Sequence, residues 1–363
     1  VSDLDTRSDL HARLSVRLAE LGDHELASLL AGGDGTSRAW GCSYPSSIEG
    51  IDVFVKRVPV TAVEMENSSS TKNHFGLPTY YSYGVGSAGF GVYRELAMHE
   101  KTTRWVLDGA IDTFPLLLHH RVLPRSPGTA APLTTDDDYI RKWNSNAAIA
   151  SYANARASAT NEMWMVLEHV PHSLATWLLA NQDRVDEVVD SLCDTISFLR
   201  AHSIVHFDAH FGNVITDGDT AYLTDFGLAL DADFDLTPEE RTFLARHGHY
   251  DYALAIGNVG SAPAWMFLDL DADDRAALWQ KHSFLQGAAN PNELAIALVD
   301  HADELTSGPL MFEPAYAAAI RRYHDVIVEM LGFLWTQNEN PRKDTRYDDD
   351  HMRSLLIAAG VSL

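Results

Sequence analysis

His206-Phe207-Asp208-Ala209-His210-Phe211-Gly212-Asn213-Val214-Ile215, followed shortly by Leu223-Thr224-Asp225-Phe226-Gly227, is the stretch on which the fold turns. It follows an amphipathic helical pattern, in which Val188, Val189, Leu192, Ile196 and Leu199 share one face, and it alternates with short apolar runs that read as strands. Asp208 and Asn213 can point from one loop into one site, and Asp225 on the next hairpin can complete a set of hard oxygen ligands. Magnesium prefers such ligands, takes few from protein, and fills the rest with phosphate and water. Phosphoryl transfer needs that metal and a carboxylate beside the attacking hydroxyl. Either segment by itself would read as a turn rich in Asp and Asn; their spacing and order make the chemical reading the stronger one.

The two segments match H-x-D-x-x-x-x-N and D-F-G, and here the chain resembles the protein-kinase-like superfamily. The resemblance implies an α+β, two-lobed fold, with a small β-rich N-terminal lobe, a larger helical C-terminal lobe and ATP bound with Mg²⁺ between them. It makes Asp208 the catalytic base or hydroxyl-orienting residue, and Asn213 and Asp225 the metal ligands. It covers roughly residues 30–260 and is specific only at 206–227.

Working outward, Ile51-Asp52-Val53-Phe54-Val55-Lys56-Arg57-Val58 is rich in β-branched residues and reads as a strand ended by Pro59. A strand lysine is ordinarily solvated; by the resemblance Lys56 contacts the α- and β-phosphates. Its expected partner is Glu95 on a helix over 92–107, preferred to Glu100 on the same helix. Gly84-Val85-Gly86-Ser87-Ala88-Gly89 is a full G-x-G-x-x-G but lies after the lysine, and no βαβ unit supports a dinucleotide-binding reading. The kinase-like order puts the phosphate-covering loop upstream, at Gly33, Gly35 and Ser37, and leaves 84–91 as a flexible lead into the Glu95 helix. Met165-Val166-Leu167-Glu168-His169-Val170-Pro171 is similar to the hinge strand of that superfamily. Backbone groups at about Glu168 and Val170 would read the adenine edge there, with Leu167 as gatekeeper; an ordinary edge strand is the plainer alternative.

Phe207 stands where protein kinases carry the arginine that pairs with a phosphorylated loop, and Ala262-Pro263-Ala264 lacks the glutamate of A-P-E. Asp208-Ala209-His210-Phe211-Gly212-Asn213 is closer to the D-x-H-x-x-N of aminoglycoside and choline phosphotransferases, with His210 a scaffold residue. Tyr250-Asp251-Tyr252-Ala253 is similar to a Y-D-x-A stretch of antibiotic phosphotransferases. The stretch from His74-Phe75-Gly76-Leu77-Pro78 to Arg94-Glu95-Leu96 resembles bacterial kinase-like proteins that act on Ser or Thr of lanthipeptide precursors. The acceptor expected is therefore a hydroxyl of a small molecule or of a Ser/Thr-containing peptide. A catalytically silent pseudokinase that docks a biosynthetic partner enzyme is the rival class, against which the intact Lys56, Asp208, Asn213 and Asp225 weigh.

The flanks fit this frame. Residues 9–31 read as a helix carrying Leu10, Leu14, Leu18 and Leu21, residues 60–91 as a long loop, and residues 114–122 and 163–170 as strands. Residues 126–160 read as a surface insertion with local helix, and a late helix carries Tyr316, Ile320, Tyr323, Ile327, Met330, Leu331 and Leu334. Two parts are expected, 1–170 and 171–363. With 363 residues, 46% of them apolar, the chain can build both. A net charge of −24 argues against nucleic acid or an anionic membrane as partner and is compatible with a cationic substrate. Two cysteines, Cys42 and Cys193, make no disulfide framework or metal spacing. The opening Val1-Ser2-Asp3-Leu4-Asp5 lacks a secretory pattern, and no run is long enough for a membrane span, so a cytoplasmic location is expected.

Overall fold

The computed structural model describes residues 4–30, 36–38, 41–125 and 137–363. It is mixed α+β, with a small antiparallel sheet and a helical majority. Two compact units form: residues 1–171 with 224–243 and 341–343, and residues 172–223 with 244–340 and 344–363. A single division at 170/171 was expected; instead the chain after Leu223 returns to the first unit for twenty residues, 224–243, and Asp225 goes with it.

The first unit is built on five strands: β1 (Thr36–Arg38), β2 (Gly41–Ile48), β3 (Ile51–Val60), β4 (Leu117–Pro124) and β5 (Asn161–Glu168), in the order β1-β2-β3-β5-β4. Gly41 has to be glycine, because a Cβ there would sit 2.6 Å from the Arg57 carbonyl oxygen on β3. β3 continues past Pro59 to Val60, since its pairing with β2 stops at Arg57 and the proline falls where only β5 remains as partner. Strand side chains alternate, so Phe54, Lys56, Val58 and Val60 share one face. Val58 and Val60 pack there with Met163, Met165 and Leu167 of β5 and with Val92, Tyr93 and Leu96 of a helix. Each such side chain contributes about 1.5–3 kcal/mol over exposure, which fixes that helix on the face that carries Lys56.

The residues expected to form one N-terminal helix form two, α1 (Leu4–Ala19) and α2 (Asp23–Leu30), because the chain turns at Leu21-Gly22. The segment 60–91 is not a plain loop. Thr61 caps α3 (Ala62–Glu66) in a reciprocal capping box with Glu64, and Tyr81, Tyr83 and Phe90 are buried. Glu64 also accepts a hydrogen bond from Val92 N at 2.9 Å, so one buried carboxylate caps both α3 and α4 (Val92–Leu107), whose Gly91 N-cap has no side chain to do so. The insertion contains α5 (Asp137–Lys142) and α6 (Ala147–Ala157).

The second unit opens with the strand His172–Ser173, which forms a small antiparallel sheet with Val214–Thr216 and Ala221–Leu223, and contains α7 (Leu174–Ala180) and α8 (Val185–Ala201). The long helices Tyr250–Asp269 and Pro314–Glu339 pack closely because Gly260 has no side chain; a Cβ there would run into Ile327 and Val299. Among the described residues no helix is long and apolar enough to cross a membrane.

Candidate active site

In the first unit Lys56 reaches its partners from the middle of β3. Its Nζ lies 2.5 Å from Glu95 Oε1 on the first turn of α4 and donates to Asp225 Oδ1 at 2.8 Å. Glu100 is not at the lysine; it pairs with His120 at 3.3 Å. Burial opposes the charge on Lys56, but the carboxylates of Asp225 and Glu95 outweigh it and hold the ammonium's pKa above its usual value. Burial pushes the Glu95 carboxyl up, and Lys56 partly offsets that. His99, one helical turn along, brings Nε2 to 3.9 Å from Glu95 Oε1 and sets its ring edge-on to Phe226 at 5.0 Å.

Asp225 sits in left-handed backbone at φ 64°, a conformation uncommon outside glycine. The segment Asp225-Phe226-Gly227 is held by the very glycine run read as a flexible lead. Phe90 N donates to the Gly227 carbonyl at 3.2 Å. Gly89, at φ 82°, comes so close that a Cβ would stand 2.7 Å from that oxygen. Arg156, buried in α6, fixes the run from the other side by donating to the Ala88 carbonyl at 3.0 Å. Residues 84–91 are thus packed on the Asp225 segment rather than detached from it. Gly89→Ala is expected to cost about 1–2 kcal/mol from the left-handed backbone alone, with more from the clash, read as a lower melting temperature. A variant as stable as wild type would show that the contact yields freely.

In the second unit Asp208 and Asn213 are locked together. Asn213 Nδ2 donates to the Asp208 carboxylate at 2.8 Å and to its carbonyl at 3.0 Å, which leaves the Asn213 amide oxygen as its group for a cation. His210 Nδ1 accepts from Gly212 N at 3.0 Å, so neutral His210 carries its proton on Nε2, which lies 3.6 Å from Asp208 Oδ1. Gly212 makes that turn possible; a Cβ there would be 2.7 Å from the imidazole.

The loop hangs on a residue to which the sequence reading gave no role. Asp251, 1% exposed on the helix Tyr250–Asp269, accepts from His206 N at 2.6 Å and from Phe207 N at 2.8 Å. Burial raises its pKa to about 6, against the pull of those two N–H groups. This clamp sustains the left-handed Phe207, at φ 64°, whose buried ring lies 5.3 Å from those of His247 and Tyr250. The Y-D-x-A stretch was the signal that could have disclosed it.

Gly33 and Gly35 lie outside the described residues, and Ser37 lies in β1. The Glu168 N–H is committed to the Leu116 carbonyl at 2.8 Å. Its carboxylate is committed to buried Arg7 of α1, which donates at 2.9 and 2.8 Å. β5 ends at Glu168, so Val170 lies beyond the strand, half-buried. Among the described residues no group of three or more His, Cys, Asp and Glu side chains is arranged to hold a metal ion. A magnesium ion asks for less, one or two carboxylates beside phosphate and water; Asp225 offers a carboxylate in the first unit and Asn213 an amide oxygen in the second. No protein-family model matches the chain, and no curated protein matches it in sequence.

Proposed function

We propose that this chain is an ATP- and Mg²⁺-dependent phosphotransferase of two-lobed, protein-kinase-like fold that phosphorylates an alcohol. The observation that carries this reading is the Lys56 ammonium shared by Glu95 and Asp225, three residues brought together from β3, α4 and the segment after Leu223. Lys56 holds the phosphates of the nucleotide, and Glu95 keeps the ammonium charged and aimed. Bound Mg²⁺ supplies charge neutralisation on the transferring phosphoryl group. Asp225 and Asn213 offer it oxygen ligands, and Asp225, 44% exposed, can exchange Lys56 for the cation.

Asp208 accepts the proton of the substrate hydroxyl as its oxygen bonds to the γ-phosphorus. The bond from that phosphorus to the bridging β-γ oxygen breaks, and ADP leaves with the electron pair. Asn213 holds the receiving carboxylate in one orientation, so no rotamer has to be ordered during the reaction. The acceptor is a hydroxylated small molecule or a Ser/Thr peptide, and the acidity of the chain is compatible with a cationic one.

The test is transfer of label from γ-labelled ATP with Mg²⁺ to a pool of hydroxylated small molecules and to a pool of Ser/Thr peptides, with Lys56→Met as control. Wild type should label one pool, and the variant should require at least tenfold more nucleotide. A wild type that neither labels an acceptor nor binds nucleotide with Mg²⁺ would sink the reading and leave a docking role for the fold.

A further inference from the structure

The twenty residues after Leu223 are tied to α4 by charges that nothing in the site chemistry uses. Arg94, the neighbour of Glu95, is 1% exposed and reaches Glu240, also 1% exposed, at 2.9 Å between Nη1 and Oε1. Its Nε donates to the Thr71 carbonyl at 2.6 Å, and its guanidinium lies 5.5 Å from the Phe90 ring and 5.6 Å from the Phe234 ring. Thr71 in turn accepts from Asp235 N through Oγ1 at 2.9 Å. Two turns along α4, Lys101 bonds to Asp231, which is fully buried, and to Asp233 at 2.8 Å. With Phe90 N on the Gly227 carbonyl, the segment is fastened near its start, middle and end.

We propose that Arg94 is a positioning residue: through Glu240 it straps the segment 226–243 onto α4 and thereby sets Asp225 against Lys56 and Glu95. The function assigned to Asp225 rests on the phosphotransferase reading; the strap itself does not. Desolvating two charges is expensive, and a buried pair is a weak source of stability. Here the Thr71 carbonyl holds Arg94 Nε and the rings of Phe90 and Phe234 lie near the guanidinium, whereas Nη1, Nη2 and Glu240 Oε1 have no hydrogen-bond partner among the described residues, so the ion pair is kept at a cost to stability. A surface pair would have served stability at less cost. The buried pair is directional, because it joins the residue next to Glu95 to the far end of the segment that begins at Asp225.

The informative variant is Arg94→Met with Glu240→Gln. It removes both charges together and so strands neither, and glutamine keeps the reciprocal cap that Glu240 makes with Thr237. Arg94→Met alone strands the Glu240 carboxylate and serves as the harsher comparison. Hydrogen exchange of amides in 226–243 and the Mg²⁺ concentration that half-saturates binding of a fluorescent ATP analogue are measured in the full chain. The double variant should stay folded, exchange at least tenfold faster across 226–243, and require about tenfold more Mg²⁺. Unchanged exchange overturns the strap. Faster exchange with an unchanged Mg²⁺ requirement overturns the positioning role. If wild type binds no nucleotide at all, the phosphotransferase reading fails by itself, and exchange alone decides the strap.

Discussion

Asp208→Asn is expected to lower kcat for phosphoryl transfer about 10³-fold, within the range a positioned general base supplies, while nucleotide binding stays near wild type. The two effects separate because of where the groups are held. Lys56, Glu95 and Asp225 belong to one unit and contact one another within it. The substitution is also gentle on the loop. Asn213 Nδ2 donates to the Asp208 carboxylate, and an asparagine can turn its amide oxygen to accept the same bond. His206, Phe207 and Asp251 hold the backbone on their own. Melting temperature should therefore move little, and the loss should fall on kcat and not on the KM for ATP. Retention of activity within tenfold of wild type would remove Asp208 from the chemistry.

The same residues show which parts of the site a sequence can disclose. Asp208 and Asn213 interact across five positions, and a helix–loop–strand order is enough to pair them. α4 begins and ends at the expected 92–107, because its buried stripe of Val92, Leu96, His99 and Val106 recurs at helical spacing within one local stretch. The pairing of Lys56 with Glu95 comes from the resemblance carried by residues 206–227, not from anything local to either residue. The supports were hidden for a physical reason. Arg7 with Glu168, Glu64 with Val92 N, Arg94 with Glu240, and Asp251 with the His206 and Phe207 amides each join segments far apart in the chain. Arginine and glutamate are mostly exposed residues, and nothing in their immediate neighbours announces burial. The glycines of 84–91 misled for a related reason. Glycine marks both mobility and close approach, and only the Gly227 carbonyl 2.7 Å from a Cβ at Gly89 separates the two. Gly22 was the converse case, a single glycine inside an apolar pattern where the helix stops.

Asp251→Asn should separate stability from activity in a way few substitutions do. In wild type the carboxylate accepts from two consecutive buried amides. An asparagine has one oxygen for them and turns its NH₂ toward the other, so one buried N–H loses its acceptor, at about 1–3 kcal/mol. Against this, burial has raised the Asp251 pKa from an ordinary 3.8 to about 6. At about 1.4 kcal/mol per unit, keeping the charge inside costs roughly 3 kcal/mol above pH 6, and asparagine removes that cost. The two terms nearly cancel, and the melting temperature at neutral pH should change by only a few degrees. Asp251→Ala removes the same charge but leaves both amides without acceptors, and should be less stable than Asp251→Asn by about a further 1–3 kcal/mol.

Activity follows geometry instead. The left-handed turn at Phe207 sets the direction in which Asp208 points, and a displacement near 1 Å can cost about 10²-fold. We expect a loss of that size in Asp251→Asn. The pH dependence gives a second signature. The folded chain keeps the Asp251 proton up to about pH 6, whereas the unfolded chain releases it near 3.8. The folded state therefore binds more protons in that window, and this group's contribution to stability falls as pH rises through it. Activity runs the other way, because the neutral acid grips the two amides less well below pH 6. Wild type should lose activity on acidification with a midpoint near 6 while its melting temperature does not fall on that account, and Asp251→Asn should lack that limb. An acid limb that persists unchanged in Asp251→Asn would assign the titration to another group and leave Asp251 with a purely structural part.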